Sequence, residues 1–347
     1  MALVDRFMNR VLAFPVTERD TLVHFIFRGN ASSVALAGDA NNWNPKVDYL
    51  TSIEGTNLWF ISRSFEADAR LDYQFVLNDS DWILDPLNPH KSLGGFGYKS
   101  ELRMPAYRPP EEIRENPRIP HGNLIDTTFH SNALGYSRPI KIYLPHSYHS
   151  SSDSFGVILF HDGLEYVSLA QTPHILDNLI YAGKMQPIIA VFVPPVHRQR
   201  EYVGDLMHPF TSFIVDELMP WVDHQFRTRR NPRFRAVWGA SNGGNISLWL
   251  GFRHPRVFGM VGAQSSYIQE SLFKDFAENP GLPLKFYLDI GSYDLRVLIP
   301  PVYLFRDLLE NRGYPVFFQE IHDGHNWANW RAHIGDGLKW FFPKEQP

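Results

Sequence analysis

From Thr21 to Met104 the chain reads as short apolar runs separated by turns. Leu22–Phe27, Ser33–Ala37, Leu58–Ile61 and Tyr73–Leu77 are closed by turn-forming residues, Arg28-Gly29-Asn30 and Gly38-Asp39 among them. Prolines punctuate two further turns, Asn42 to Pro45 and Asp85 to Pro89. Runs of this length and spacing predict a β-sandwich of immunoglobulin type. Between Met104 and Pro120 the pattern changes. Pro105, Pro109, Pro110, Pro117 and Pro120 alternate with Glu111, Glu112, Arg114 and Glu115, which predicts an extended, semi-rigid linker. The domain limits expected are therefore 1–105, 106–120 and 121–347.

From Gly122 apolar strands alternate with helical spacings. Ile140–Leu144 alternates in period two, whereas Gly156–Phe160 and Ile188–Val193 are apolar throughout, as strands covered on both faces are. Phe210, Phe213, Ile214, Leu218 and Trp221 keep helical spacing through Pro220, which is expected to kink or end that helix. Phe234–Trp238, Gly259–Gln264, Leu284–Ile290 and Val316–Ile321 read as further strands. Val302, Phe305, Leu308 and Leu309 mark a helix stopped at Gly313. The alternation predicts a mostly parallel sheet with helices on both faces.

Composition narrows the classes. The chain has 347 residues, 44% hydrophobic and 20% charged, which is globular. A formal charge of -4 argues against a basic nucleic-acid binder. Cysteine is absent, which removes disulfides, zinc-thiolate sites and cysteine nucleophiles. No run approaches a membrane span, and Asp5, Arg6 and Arg10 interrupt the stretch where a secretion signal would need an apolar core. The expectation is a cytoplasmic protein with no membrane or nucleic-acid partner.

One stretch carries chemistry. Gly239-Ala240-Ser241-Asn242-Gly243 matches the G-x-S-x-G nucleophile elbow, with a strand before it and a helix-like run, Asn245 to Phe252, after it. The turn must be tight for the hydroxyl to project, and glycine allows the close backbone approach. A serine needs a base, and such folds run in the order serine, acid, histidine. Asp294 follows the strand ending at Ile290, and His325 follows the strand ending at Ile321. Ser241, Asp294 and His325 are thus the expected nucleophile, orienting acid and base. Asp289, inside its strand, is a rival acid; His322 and Asp323 are rivals beside His325. His322-x-x-His325 has a spacing that could suit a metal, but no carboxylate-bearing zinc helix accompanies it, so no metal is expected. The oxyanion hole is assigned to the amides of Asn242 and of Gly163 or Leu164, in the loop after Phe160. Losing one such donor typically costs about 2.7–4 kcal/mol in the barrier. His161 and Asp162 are read as residues that brace this loop.

Two resemblances add to this reading. Gly38 to Pro45, Trp59, Tyr73-Gln74-Phe75, Trp82 and Asp85 to Pro89 resemble the early-set domains that precede isoamylases and enterochelin esterases, and glycogen-binding modules. The sugar-binding relatives imply Trp43, Trp59 or Trp82 as stacking platforms; read as residues alone, the three tryptophans fill the sandwich core or brace its loops. His161-Asp162-Gly163, Trp238 to Gly244, His254 to Phe258, Gln264 to Ser266 and Gly324 to Arg331 resemble the esterase family that includes enterochelin esterase, esterase D and feruloyl esterases. That resemblance implies an α/β-hydrolase fold and cofactor-free carboxylic ester hydrolysis.

A small-molecule ester is the expected partner, either a ferric siderophore lactone or an acylated sugar; a sugar-binding protein with an inactive hydrolase domain is the remaining alternative. A ferric catecholate is anionic and calls for positive charge. Arg198 and Arg200 are the candidates, with Glu201 as a possible ion-pair partner to one of them. Trp327 and Trp330, beside His325, are candidates for the wall of an aromatic acyl pocket.

Overall fold

The alternating runs of the N-terminal region fold into two antiparallel sheets. The computed structural model describes residues 2–279 and 281–344, so Met1 and 345–347, the outer limits expected for the first and last domains, lie outside the described residues, as does Pro280. The strands are β1 (Val16–Glu18), β2 (Leu22–Arg28), β3 (Val34–Gly38), β4 (Thr51–Ser52), β5 (Leu58–Ser64), β6 (Arg70–Leu77), β7 (Asp81–Ile83), β8 (Lys91–Gly94) and β9 (Gly97–Arg103). One sheet has the order β1-β2-β5-β4; the other has β3-β6-β9-β8, with β7 paired to β6. Residues two apart on a strand share a face. Val23, Phe25 and Phe27 of β2 therefore point one way and meet Leu71, Tyr73 and Phe75 of β6 in one core, to which Leu36, Ile61 and Leu102 add. Phe25 and Tyr73 meet edge to face at 4.9 Å between ring centres.

The second part of the chain forms an eight-stranded sheet. Its strands are β10 (Asn123–Ser131), β11 (Tyr136–Leu144), β12 (Gly156–His161), β13 (Ile188–Val193), β14 (Arg235–Ala240), β15 (Met260–Gln264), β16 (Lys285–Tyr293) and β17 (Val316–Gly324). Their order is β10-β11-β13-β12-β14-β15-β16-β17. β10 and β11 form an antiparallel hairpin, and β11 also runs antiparallel to β13. β13, β12, β14, β15 and β16 pair in parallel. Every residue of β12 to β15 is buried, as a sheet covered on both faces requires. β16 and β17 run three residues further than their apolar stretches, so Asp294 and His325 each follow directly on a strand end.

Pro220 does not end its helix. Helix Met207–Ser212 continues through a π-helical stretch, Phe213–Leu218, into Met219–Gln225. A proline lacks the N–H of the helical ladder, and its ring presses on the carbonyl four residues back. The wider π turn just ahead of Pro220 relieves both demands.

By packing, the chain divides into two units: Met1–Pro109 with Gly291–Arg296 and Glu320–Asn329, and Pro110–Ile290 with Val297–Gln319 and Trp330–Pro347. The proline-rich segment from Pro110 belongs to the second unit. It includes a short 3-10 turn, Glu111–Ile113, and is tied down where the Glu112 carbonyl accepts from Asn178 and its carboxylate pairs with Lys339. No helix among the described residues is long and apolar enough to cross a membrane.

Candidate active site

Strand β14 delivers the chain into a sharp turn at Ser241, from which helix Asn242–Arg253 departs. Ser241 has φ 56° and ψ -123°, a conformation that L-residues seldom hold. Two constraints keep it there. Its N–H donates to the Gln264 carbonyl at 2.9 Å. A Cβ on Gly239 would lie 2.3 Å from the Gly243 carbonyl carbon, so the strand and the helix can close on each other only with glycine at that position. Beneath the turn, Gln264 is the hub of a buried network. Its Oε1 accepts from Trp238 Nε1 at 3.0 Å and Tyr166 Oη at 3.1 Å, and its Nε2 donates to Asp289 at 2.9 Å.

Asn242 is the first residue of its helix, and Gly163 and Leu164 are the first two of helix Gly163–Ser168. The N–H groups of a first helical turn have no partner within the helix and favour negative charge. Asp162, just before, is in the left-handed conformation with φ 51°. Its N–H is held by the Tyr202 hydroxyl, and its carboxylate takes a two-pronged contact from Arg198, at 2.7 and 2.8 Å. Burial raises the Asp162 pKa, against the pull of Arg198. Neighbouring His161 is fully buried among Tyr202 and Phe210, and neither ring nitrogen has a partner among the described residues. Burial, then Arg138 and Arg198, push its pKa down to about 3.

The arginines are differently paired than the sequence suggests. Glu201 takes neither Arg198 nor Arg200. It is fully buried and binds Arg138 on β11 at 2.9 and 3.1 Å, with the Tyr136 hydroxyl at 2.6 Å. Arg138 and Glu201 are 63 residues apart, so nothing local marks the pair. Arg198 serves Asp162, and Arg200 pairs with exposed Asp205 at 2.6 Å.

Asp294 and His325 meet. Asp294 Oδ1 lies 2.7 Å from His325 Nδ1 and also accepts the Leu295 N–H at 2.7 Å. The Asp294 side chain is fully buried, whereas the imidazole keeps 18% exposure, enough for one ring edge to stay accessible. Both belong to the first unit; Ser241 belongs to the second. The rivals have other partners. Asp289 accepts from Gln264, Tyr287 and the Ser265 N–H, and burial raises its pKa to about 6 against those bonds. His322 pairs with Asp68 at 2.7 Å, so the two histidines of the His322-x-x-His325 spacing face different carboxylates. Trp327 opens helix Trp327–Phe341 and is half-buried. Trp330 is buried and donates to Ser265 Oγ at 3.0 Å, a packing role.

One other cluster has ligand-type atoms close together. His121, His174 and Asp177 bring theirs within 4.8 Å of one another. Asp177 already has its oxygens engaged by Gly122 N–H, the Tyr143 hydroxyl and His121, which anchors the end of the proline-rich segment. Sequence reasoning also passed over Arg70, a 1% exposed guanidinium on β6 ringed by carboxylates. Its available signal is Arg70-Leu71-Asp72, two charges at period two directly ahead of the strand-like run Tyr73–Leu77.

Comparison with known proteins adds the following. The model of a family described as "Putative esterase" matches residues 131–341. The iron(III) enterobactin esterase of Escherichia coli (strain K12) is 23% identical over 337 residues, covering 85% of this chain and 82% of that protein. An endo-1,4-beta-xylanase/feruloyl esterase of Xylanibacter ruminicola is 25% identical over 229 residues, covering 62% of this chain and 31% of that protein. The solved ferric enterobactin esterase of Salmonella typhimurium superposes with a TM-score of 0.81 at 19% identity, over 97% of this chain and 98% of that one. The likeness is one of fold, of the α/β-hydrolase type.

Proposed function

The chain belongs to this esterase family and is a carboxylic ester hydrolase, and from that premise we propose that it works through an acyl-enzyme on Ser241. Ser241 attacks the ester carbonyl. His325 takes the hydroxyl proton and returns it to the leaving alkoxide. Asp294 fixes the imidazole with Nδ1 toward its own carboxylate and stabilises the imidazolium. The amides of Asn242 and of Gly163 or Leu164 receive the developing oxyanion. The observation that carries this reading is the 2.7 Å contact between Asp294 Oδ1 and His325 Nδ1; the strained elbow conformation of Ser241 supports it. Strand order supports it: each of the three residues directly follows a strand of the same sheet.

For the substrate, the siderophore lactone reading is the better supported. The enterobactin esterase match runs through 85% of the chain, including the N-terminal region, whereas the feruloyl esterase match covers 62%. In this reading the first unit's two sheets form an early-set, immunoglobulin-like sandwich. Arg198 and Arg200 contribute less positive charge than their number suggests, because Asp162 and Asp205 each neutralise one. One observation favours the acylated-sugar reading. Trp82 is 44% exposed and stacks on half-buried Trp43 at 6.4 Å, with Lys99 over the Trp43 ring at 5.0 Å. Trp59, by contrast, packs against the core.

The test is direct. The full chain hydrolyses nitrophenyl acetate with a burst, and Ser241→Ala loses activity by up to about 10⁶-fold, the scale of a lost nucleophile. Activity that survives this substitution removes Ser241 from the mechanism. Hydrolysis of iron-loaded enterobactin measured against methyl ferulate separates the two substrates, and faster turnover of methyl ferulate overturns the siderophore reading.

A further inference from the structure

We propose that Arg70 is the positioning residue for His325; this rests on His325 being the base. The argument begins with the chain around the histidine, Asp323-Gly324-His325-Asn326. Arg70 Nη1 donates to Asn326 Oδ1 at 2.8 Å and to Asp323 Oδ1 at 3.3 Å. One guanidinium nitrogen therefore grips the chain on both sides of the Gly324-His325 pair. The rest of the guanidinium is fixed from behind. Nε donates to Glu101 at 2.8 Å and Nη2 to Asp72, so the fork cannot turn away from the loop.

A second group completes the grip. Asp39 Oδ2 accepts from Asn326 Nδ2 at 3.1 Å and from the Asp72 N–H at 2.7 Å. Its carboxylate also fills the space beside Gly324, where a Cβ would come within 2.1 Å of the carboxyl carbon. Asn326 is at the same time the cap of the helix that follows: its Oδ1 accepts the Asn329 N–H at 2.9 Å. Both φ/ψ pairs next to His325 are thus set by side-chain bonds that converge on Arg70. A hydrogen-bonded imidazole has little freedom once its backbone is set, and the Asp294 contact supplies the last constraint.

The charges agree with a centre built around one cation. Burial, then Asp72 and Asp323, raise the Asp39 pKa well above its ordinary value. Burial raises Asp323 to about 6, against Arg70. Burial would lower the Arg70 pKa, yet Asp72, Asp323 and Glu101 hold it up. Without the guanidinium, Asp323 and Asn326 lose their shared donor and the loop is free to shift.

The experiment uses the full chain and nitrophenyl acetate. Arg70→Met and Asn326→Ser are compared with the parent for kcat, KM and the rate at which a fluorophosphonate labels Ser241. Asn326→Ser keeps a helix-capping hydroxyl and leaves Asp72, Glu101 and Asp323 paired with Arg70, so it folds even where Arg70→Met does not. Expected is a fall in kcat of about 10²-fold, the scale of an ångström-sized misplacement, with KM within about twofold and a parallel fall in labelling. A purely structural role would lower the melting temperature and leave both rates per folded chain unchanged. Unchanged kcat in Asn326→Ser, or in folded Arg70→Met, overturns the proposal. His325→Ala keeps the two readings apart. If it is inactive while the other variants retain full rates, only the positioning role fails; if it is active, the base assignment fails and the positioning role with it.

Discussion

His161 is a histidine the fold keeps neutral. It has no hydrogen-bond partner among the described residues, lies against Tyr202 and Phe210, and titrates near pH 3 because burial and two arginines oppose its charge. Its folded pKa is below the unfolded value of 6.5, so the unfolded chain binds the proton first. The stability this residue contributes is complete above pH 6.5 and is lost as pH falls toward 3. At pH 4.5 the two-unit gap from 6.5 corresponds to roughly 3 kcal/mol. His161→Phe removes that term. Urea unfolding should therefore show parent and variant converging at pH 7.5 and the variant ahead by a few kcal/mol at pH 4.5; equal pH profiles would mean that His161 finds a proton acceptor. Asp294 gives the contrasting case, a buried carboxylate to which the proposed mechanism assigns a task. Asp294→Asn keeps the shape and loses the acceptor that selects the imidazole tautomer, so kcat should fall by about 10⁴-fold with the melting temperature little changed. A loss below tenfold would point to another acid, with Asp289 next in line.

At the scale of elements, buried ion pairs hold the loops to which the proposed mechanism assigns the chemistry. Glu201 lies in the first turn of helix Arg198–Val203 and is gripped by Arg138 of β11, by the Tyr136 hydroxyl and by the Val196 and His197 N–H groups. Both side chains are fully buried. Arg138→Met would leave the Glu201 carboxylate buried without its cation, at a cost of about 3–5 kcal/mol read by urea unfolding. A smaller loss would mean that the carboxylate reaches water. These pairs explain which parts of the site the sequence exposes. The elbow is legible because its demand is local: Gly239 and Gly243 stand on either side of Ser241, and Gly239 is required by backbone packed against itself. The strands are legible because β12 and β13 are apolar at almost every position. Arg70 and Asp323 stand 253 residues apart, and Arg138 and Glu201 stand 63 apart. Such partners are chosen by the fold, not by spacing, and a charged residue near a strand end reads as surface until its counter-charge is found.

For the whole molecule, the first unit is discontinuous in sequence, and its two late segments are the ones that bear Asp294 and His325. Within that unit the N-terminal residues meet them repeatedly. Asp68 pairs with His322, the Tyr293 hydroxyl donates to Glu66 at 2.5 Å, Asn42 accepts the Arg296 N–H, and Arg70 and Asp39 hold Asp323 and Asn326. Under the proposed mechanism, residues 1–109 are therefore part of the support of the base and its acid. This consequence separates two views of that region. A sugar-gripping module on a self-sufficient enzyme can be removed without loss on a substrate that has no sugar. A structural partner of the histidine loop cannot. The fragment 110–347 should accordingly keep the circular dichroism of its eight-stranded sheet and the helices around it, yet hydrolyse nitrophenyl acetate at least about 10²-fold more slowly than the full chain. Full activity in the fragment would show that the loop holds its own shape and would return the N-terminal region, with its stacked Trp43 and Trp82, to the role of a binding module. Loss of activity together with retention of residues 1–109 on amylose would assign that region both roles, because the tryptophan platform and the Arg70 cluster draw on different side chains.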